Sequence, residues 1–536
     1  MGKQTKLRLY EFQKTLYEKA VAEASAHAPM DAPSVIKYSE DFYRSLPRSF
    51  KKVDIHHITS ALENSSLMLF GDFHTHKQTQ KGLVRVLDSY NQMFPDREIV
   101  IAMEMFRACD QAIINQFMKD EITEEELLKK CKYEEYWGFP WENYRVITDF
   151  AKEHEIPVVG INTDLAGKDR LPKRDKFAGR VLEDVLTHHQ DCLCACIIGE
   201  YHLADNHLPL YLDKNINVLR ILTNIDEFYF NRENYDEYAT TEYLALKPNL
   251  YCLLNSPPWI KWQSYSLWEE KKSIEYENEF DSILTQESFD IDYQIASIIG
   301  HLIEFLDLNL SDSEVKDFHS YCDLEEQDLT YLEDKVEISP YTKSMMTQRL
   351  KIDGMFYIPE SKYALFSKPS LNNLSELAGQ ILFCVLHQYN QKDDITTQFF
   401  HRVVMISAGV LSSKTLNPRR KCPDIYHYEG ELGSLYRKKL GKGDQVYREA
   451  LRYIVKLYYR LLNGKCRIDR SIIHRDTQCN GIYSLMIGQL LGIESYNAIM
   501  NPKKSHINFT DVFQFSRHMK DPKMIFESLI QFIFHT

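Results

Sequence analysis

Short apolar runs and helix-period segments alternate along the chain from about residue 65 to about residue 235. The runs are SLMLFG (66–71), EIVIAMEM (98–105), IPVVGIN (156–162), CLCACIIG (192–199) and NVLRILTN (217–224). Each is short and apolar at successive positions, as a strand covered on both faces requires. After the first run, Leu83, Val86, Leu87 and Tyr90 recur at i, i+3, i+4 and i+7, the stripe of a buried helix. Thr123 and Glu126 form a capping box ahead of Leu127 and Leu128. Segments 144–155 and 177–190 supply helices before the third and fourth runs. This alternation predicts an α/β domain with a mainly parallel sheet flanked by helices.

The pattern differs on either side. Residues 1–60 read as a helical lead-in, with HAPMDAPS (27–34) as a Pro-containing linker. The α/β domain takes 61–240. From 241 to 536 long amphipathic stretches dominate (291–309, 374–390, 397–412, 445–463 and 506–534), which predicts a mostly α-helical C-terminal region. One hairpin, MFYIPESKYALFS (355–367), is expected inside it.

Composition sharpens the picture. A chain of 536 residues, 44% hydrophobic and 26% charged, is folded and too long for one core. A net charge of −13 argues against a nucleic-acid partner, which would ask for a basic stripe. No run is long enough to span a bilayer, and the start, MGKQTKLRLYEFQK, lacks the apolar core of a signal peptide. The 11 cysteines are odd in number and form no CxxC pair, so a reducing, cytoplasmic setting is expected. Cys192, Cys194 and Cys196 alternate, so in a strand they share one face; packing is the expectation for them.

Ligands of open parallel sheets bind at the carboxyl ends of the strands. What leaves those ends here is polar: Asp72, His74 and His76 after the first, Glu104 at the second, Asn162 at the third, Glu200, Tyr201 and His202 after the fourth. GDFH and GEYH share one form, a Gly that lets the chain turn, an acid, an aromatic and a His. His74, Glu104 and His202 together make a two-His, one-carboxylate set of the kind that holds Mn, Zn, Co or Fe, with positions left for water or substrate.

Several segments in order carry a likeness: LFGDFH, AMEMFRACDQ (102–111), ITEEELLKK before WGFPWENYR (137–145), IPVVGIN, the Arg174–Asp175 pair, and IIGEYH. Over 66–206 the chain resembles the ChaN-like haem-binding uptake family, within a superfamily that includes the erythromycin esterases and the Tiki/TraB proteins. The resemblance implies a shared pocket on His74, Glu104 and His202. It implies a metal-dependent peptidase site by the Tiki/TraB branch, and a metal-free hydrolytic His74 oriented by Asp72 or Glu104 by the esterase branch. By the ChaN-like branch it implies haem.

The expected activity is therefore hydrolysis of a small-molecule or peptide substrate, of esterase or peptidase type, by a water activated at His74, Glu104 and His202. Asp72 orients these groups, and Asn162, Arg174 and Tyr201 contact the substrate. One divalent metal is the expected cofactor, with haem the alternative; homo-oligomerisation stays open. Two rivals remain. Asp72-Phe73-His74-Thr75-His76 also looks like the start of amidohydrolase and PHP barrels, where both histidines bind one metal, but a barrel needs eight strand–helix units and about five are found. The domain could also keep the fold as a non-catalytic binding module.

Overall fold

The computed structural model describes residues 2–27, 33–164, 170–231, 243–277, 283–311, 315, 317–322, 346–347, 349–350, 353–367, 369–387, 394–436, 442–464, 467–474, 477–501, 508–518 and 521–535. Most of the 27–34 linker lies outside them. The chain divides into two compact units, one of Gln13–Glu279 and one of Met1–Phe12 with Phe280–Thr536.

The first unit is built on an eight-stranded sheet. Its strands are β1 (Lys51–Val53), β2 (Leu67–Asp72), β3 (Ile99–Arg107), β4 (Val158–Asn162), β5 (Leu193–Gly199), β6 (Val218–Thr223), β7 (Tyr243–Lys247) and β8 (Leu250–Leu253). They lie in the order β1-β7-β8-β6-β2-β5-β3-β4. All pairings from β8 to β4 are parallel, and β7 runs antiparallel to both its neighbours. The five apolar runs are β2 to β6. The pattern missed β1, β7 and β8: β1 is three residues of an edge strand with no apolar run, and β7 and β8 follow the point where helical texture was read to begin. The sheet is open, which removes the barrel reading.

Both faces of the sheet are covered. Alternation sends Leu193, Ala195 and Ile197 of β5 to one face, where they pack with Met68, Phe70, Ile101, Leu219 and the helix α3 (Lys77–Met93) through Leu83, Val86, Leu87 and Tyr90. Cys192, Cys194 and Cys196 go to the other face, against Leu67, Leu69, Val100 and Leu182, so the three cysteines are core residues. At about 1.5–3 kcal/mol for each large apolar side chain buried, these two layers hold the sheet against its helices. Two earlier helices, α1 (Gly2–His27) and α2 (Pro33–Ser45), and three later ones, α4 (Trp141–Glu153), α5 (Arg170–His188) and α6 (Pro258–Glu277), bring side chains to the carboxyl ends of the strands. The capping box of Thr123 and Glu126 is present in both its bonds.

The second unit is mostly helical. Helices α7 (Leu371–Leu386), α8 (Ile395–Leu416) and α9 (Thr477–Met500) pack so closely that a Cβ on Gly409 would lie 2.6 Å from the Glu376 carbonyl oxygen. A Cβ on Gly488 would lie 2.8 Å from the Val403 carbonyl oxygen. The predicted hairpin is β10 (Met355–Ile358) with β11 (Tyr363–Phe366), joined by a parallel β9 (His319–Tyr321). Among the described residues no helix is long and apolar enough to cross a membrane.

Candidate functional site

The register of two central strands brings the two Gly-acid-aromatic-His turns together. Asp72, the last residue of β2, pairs with Gly199, the last of β5. The chain runs from β2 to β3 on one side, returns to β5, then crosses to β6 on the other, so β2 and β5 flank the point where the winding reverses. Such a point is where open α/β sheets form a crevice. Glu104 arrives from β3, where the pairing with β4 shifts register between Met103 and Arg107. An irregularity of this kind re-aims a side chain, and the Glu104 carboxylate accepts the Gly199 N–H at 2.7 Å.

Each histidine is held from behind by an aspartate. His74 Nδ1 is 2.8 Å from Asp72 Oδ2. The buried Asp72 carboxylate also accepts the Tyr144 hydroxyl at 2.7 Å and the Gln80 side-chain N–H at 2.5 Å. His202 Nδ1 contacts Oδ1 of Asp175, which is fully buried. A carboxylate at Nδ1 fixes the proton there and leaves Nε2 bare as the basic nitrogen. Both rings converge over Gly199: a Cβ built on it would lie 3.4 Å from His74 Cε1, 3.5 Å from His74 Nε2 and 3.4 Å from His202 Cδ2. His202 Nε2 is 3.7 Å from Glu104 Oε1, and Arg174 donates to the same oxygen at 2.6 Å.

Charge sets the protonation preferences. Burial alone would depress His74, but the hydrogen bond and charge of Asp72, with Glu104 beyond, outweigh it, and the imidazole is held above its ordinary value. Burial alone would raise Glu104, but Arg174, His202, His74 and the Gly199 N–H outweigh that, and the carboxyl is held below its ordinary value. Burial pushes His76 down to about 3, so it is a neutral ring. His76 packs beneath the turn with Nδ1 3.3 Å from Thr79 Oγ1, apart from the cleft His74 lines.

The cleft measures about 850 Å³, a size suited to a small molecule or a short peptide segment. Trp137, Phe139, Trp262 and Tyr265 give it an aromatic wall; the rings of Trp137 and Phe139 both lie 4.6 Å from His74. Asn162 stands on the rim, its Oδ1 turned back to the Thr163 N–H. Tyr201 lines the cleft with its ring against Phe42. Arg174 is in the cleft but is committed to Glu104. Tyr144 lies within WGFPWENYR and Asp175 in the Arg-Asp pair, but neither segment marks a role for them, and Tyr38 carries no sequence signature at all.

Beside this site lies a second buried charge cluster. Lys261, 1% exposed in its side chain, stands 3.3 Å from Asp226 Oδ1 and 3.6 Å from Glu200 Oε1. Asp226 Oδ2 accepts the Tyr17 hydroxyl and the Trp262 indole N–H. Neither Glu200 oxygen has a hydrogen bond of good geometry, and burial raises this carboxyl to about 7 against the opposing pull of Lys261.

The metal expectation fails a test on the donors. Both Glu104 oxygens are engaged, one of them by a guanidinium that a divalent ion would have to displace. Among the described residues no three His, Cys, Asp or Glu side chains gather as a metal-binding group. The set of His74, Glu104 and His202 thus does not fit a divalent ion as arranged.

Residues 58–175 match the model of a family described as haem-binding uptake, Tiki superfamily, ChaN. This segment is ChaN-like. Two solved structures are similar. One, of cofacial heme binding to ChaN of Campylobacter jejuni, is 15% identical over 33% of this chain and 88% of its own, with a TM-score of 0.27. The other, the type III effector HopBA1, is 13% identical over 33% of this chain and 87% of its own, with a TM-score of 0.27. No curated protein matches. The ChaN-like segment carries His74, Glu104, Asn162, Arg174 and Asp175, while His202 lies beyond its end.

Proposed function

We propose that the ChaN-like unit is a hydrolase acting on an ester or amide of a small molecule or peptide, without a metal. The observation that carries this reading is the pair of Asp-backed imidazoles, His74 and His202, converging over Gly199. A water in that space would give its proton to His74 Nε2 while Asp72 stabilises the imidazolium. The attacked carbonyl oxygen gains charge as the water adds, and the Arg174 guanidinium, which gives one nitrogen to Glu104, would stabilise it through its remaining N–H groups. The His74 imidazolium then returns that proton from Nε2 to the leaving group, His202 Nε2 accepts the water's other hydrogen and so orients it, and Glu104 keeps Arg174 and the Gly199 amide in place. Asn162, Tyr201 and the aromatic wall would orient the substrate. The odd cysteine count supports a cytoplasmic setting for the reaction.

The test is hydrolysis of a panel of nitrophenyl esters and fluorogenic peptides by the full chain, beside His74→Gln and His202→Gln. Each variant is expected to lose at least about 100-fold in kcat, the usual contribution of an acid–base group. Rates that survive both substitutions would sink the reading.

A second reading is binding of haem or a related tetrapyrrole. The family description favours it, and the donors fit in part: each histidine keeps Nε2 free, and the wall of Trp137, Phe139 and Trp262 suits a flat apolar ligand. Haem titration followed by the Soret band, with His74→Ala and His202→Ala as controls, tests it. A protein that neither hydrolyses the panel nor binds haem would be a non-catalytic module for a different ligand.

A further inference from the structure

His202 is secured by a residue from outside the α/β alternation. The two oxygens of Asp175 have different partners: Oδ1 meets His202 Nδ1, and Oδ2 accepts the Tyr38 hydroxyl at 3.0 Å. Tyr38 comes from α2, well before the ChaN-like segment begins. Its ring stacks on His207 at 3.7 Å with planes 13° apart, and stands edge-on to His202 at 5.8 Å. His207 is itself fixed, with Nδ1 2.6 Å from the Tyr201 carbonyl oxygen and Nε2 3.6 Å from Asp41. Asp41 is three residues after Tyr38, on the same face of α2.

A buried carboxylate with one partner on each oxygen is oriented by both of them. Remove the phenol and Asp175 is free to rotate about its remaining bond to His202, which then loses its fixed proton position. We propose that Tyr38 is a positioning residue for the site: through Asp175 it keeps the His202 proton on Nδ1 and the bare Nε2 toward Glu104 and the cleft. His207 is the clamp that holds the Tyr38 ring. The catalytic consequence rests on the hydrolase reading; the geometry does not.

The test uses the full chain with 13C-labelled histidine, His202 being assigned by its loss in His202→Gln. The imidazole Cδ2 shift distinguishes the two neutral tautomers and is read at pH 8. Tyr38→Phe keeps the ring and its stack and removes only the hydroxyl. It is expected to move the His202 shift away from the Nδ1–H value, in the same direction as Asp175→Asn, while His74 stays put. His207→Ala removes the stack and leaves the hydroxyl, and is expected to move His202 less. Where hydrolysis is measurable, Tyr38→Phe should lower kcat about 10-fold, the scale of an outer partner, at unchanged KM. A His202 tautomer unmoved by Tyr38→Phe overturns the proposal, and so does an equal or larger movement in His207→Ala, which would assign the effect to packing. A tautomer that moves in a protein that hydrolyses nothing supports the positioning role and removes the hydrolase reading alone.

Discussion

Replacing Glu200 by Gln should stabilise the protein by an amount that grows from about pH 4.5 and is complete above about pH 7. The carboxyl is buried, without a well-formed hydrogen bond, and raised from 4.5 to about 7 by burial. In the unfolded chain it ionises near 4.5; in the fold it holds its proton to about 7. Between those two values the native state binds the extra proton, so native stability falls as pH rises. At about 1.4 kcal/mol for each tenfold change in proton affinity, the full cost is about 3 kcal/mol. Gln mimics the protonated group and escapes that cost, while Lys261 keeps Asp226 at 3.3 Å. The assay is urea unfolding followed by tryptophan emission. All five tryptophans (Trp137, Trp141, Trp259, Trp262 and Trp268) lie within Gln13–Glu279, so the signal reports this unit alone. The advantage of the Gln variant should grow by about 2–3 kcal/mol between pH 5 and pH 8. An advantage that is flat with pH, or one that turns into a deficit at pH 8, would mean that Glu200 is ionised in the fold and that its attraction to Lys261 exceeds its desolvation.

Three further outcomes are expected. Activity should rise with pH as His74 loses its proton, and Asp72→Asn should move that acid limb to lower pH, because the aspartate is what holds His74 above its ordinary value against burial; a limb that stays or moves up in a pH–rate profile would contradict this. Gly199→Ala puts a methyl at ordinary contact distance from both imidazoles, on a backbone of φ −45° that Ala accepts, so the melting temperature should hold while kcat falls about 100-fold through loss of the water's space. Dialysis against EDTA should leave hydrolysis unchanged, and elemental mass spectrometry of wild type beside His74→Ala should find no metal held at the site; about one Mn, Zn or Co per chain, lost in the variant, would restore the metallohydrolase.

The α/β pattern was readable because strands β2 to β6 are buried on both faces, which leaves unbroken apolar runs in the sequence. Edge strand β1 is polar and three residues long, and nothing in Lys51–Val53 distinguishes it from a loop. The convergence of His74, Glu104 and His202 was likewise readable, since each follows the end of such a run. Their chemistry was not. The metal set depended on Glu104 having a free oxygen, and the partners that occupy it, Arg174 and the Gly199 amide, come from a helix and a strand end far along the chain. Asp175 and Tyr144 sit within helices where a polar residue carries no local mark, and Tyr38 reaches the site only because α2 folds across it.

The pairing of Asp72 with Gly199 also has a meaning for how the protein acquires its function. β2 and β5 are neighbours in space but are separated in sequence by two whole strands and their helices. Contacts of such long range close late, because the chain entropy of the intervening loop must be lost before they contribute anything. A chain emerging from the ribosome can hold Asp72, His74 and Glu104 long before β5 exists to be joined. Until it arrives there is no Gly199 amide for Glu104 and no His202 opposite His74. The site comes into being in one late step, so a nascent or partly unfolded molecule would be inert rather than partly active.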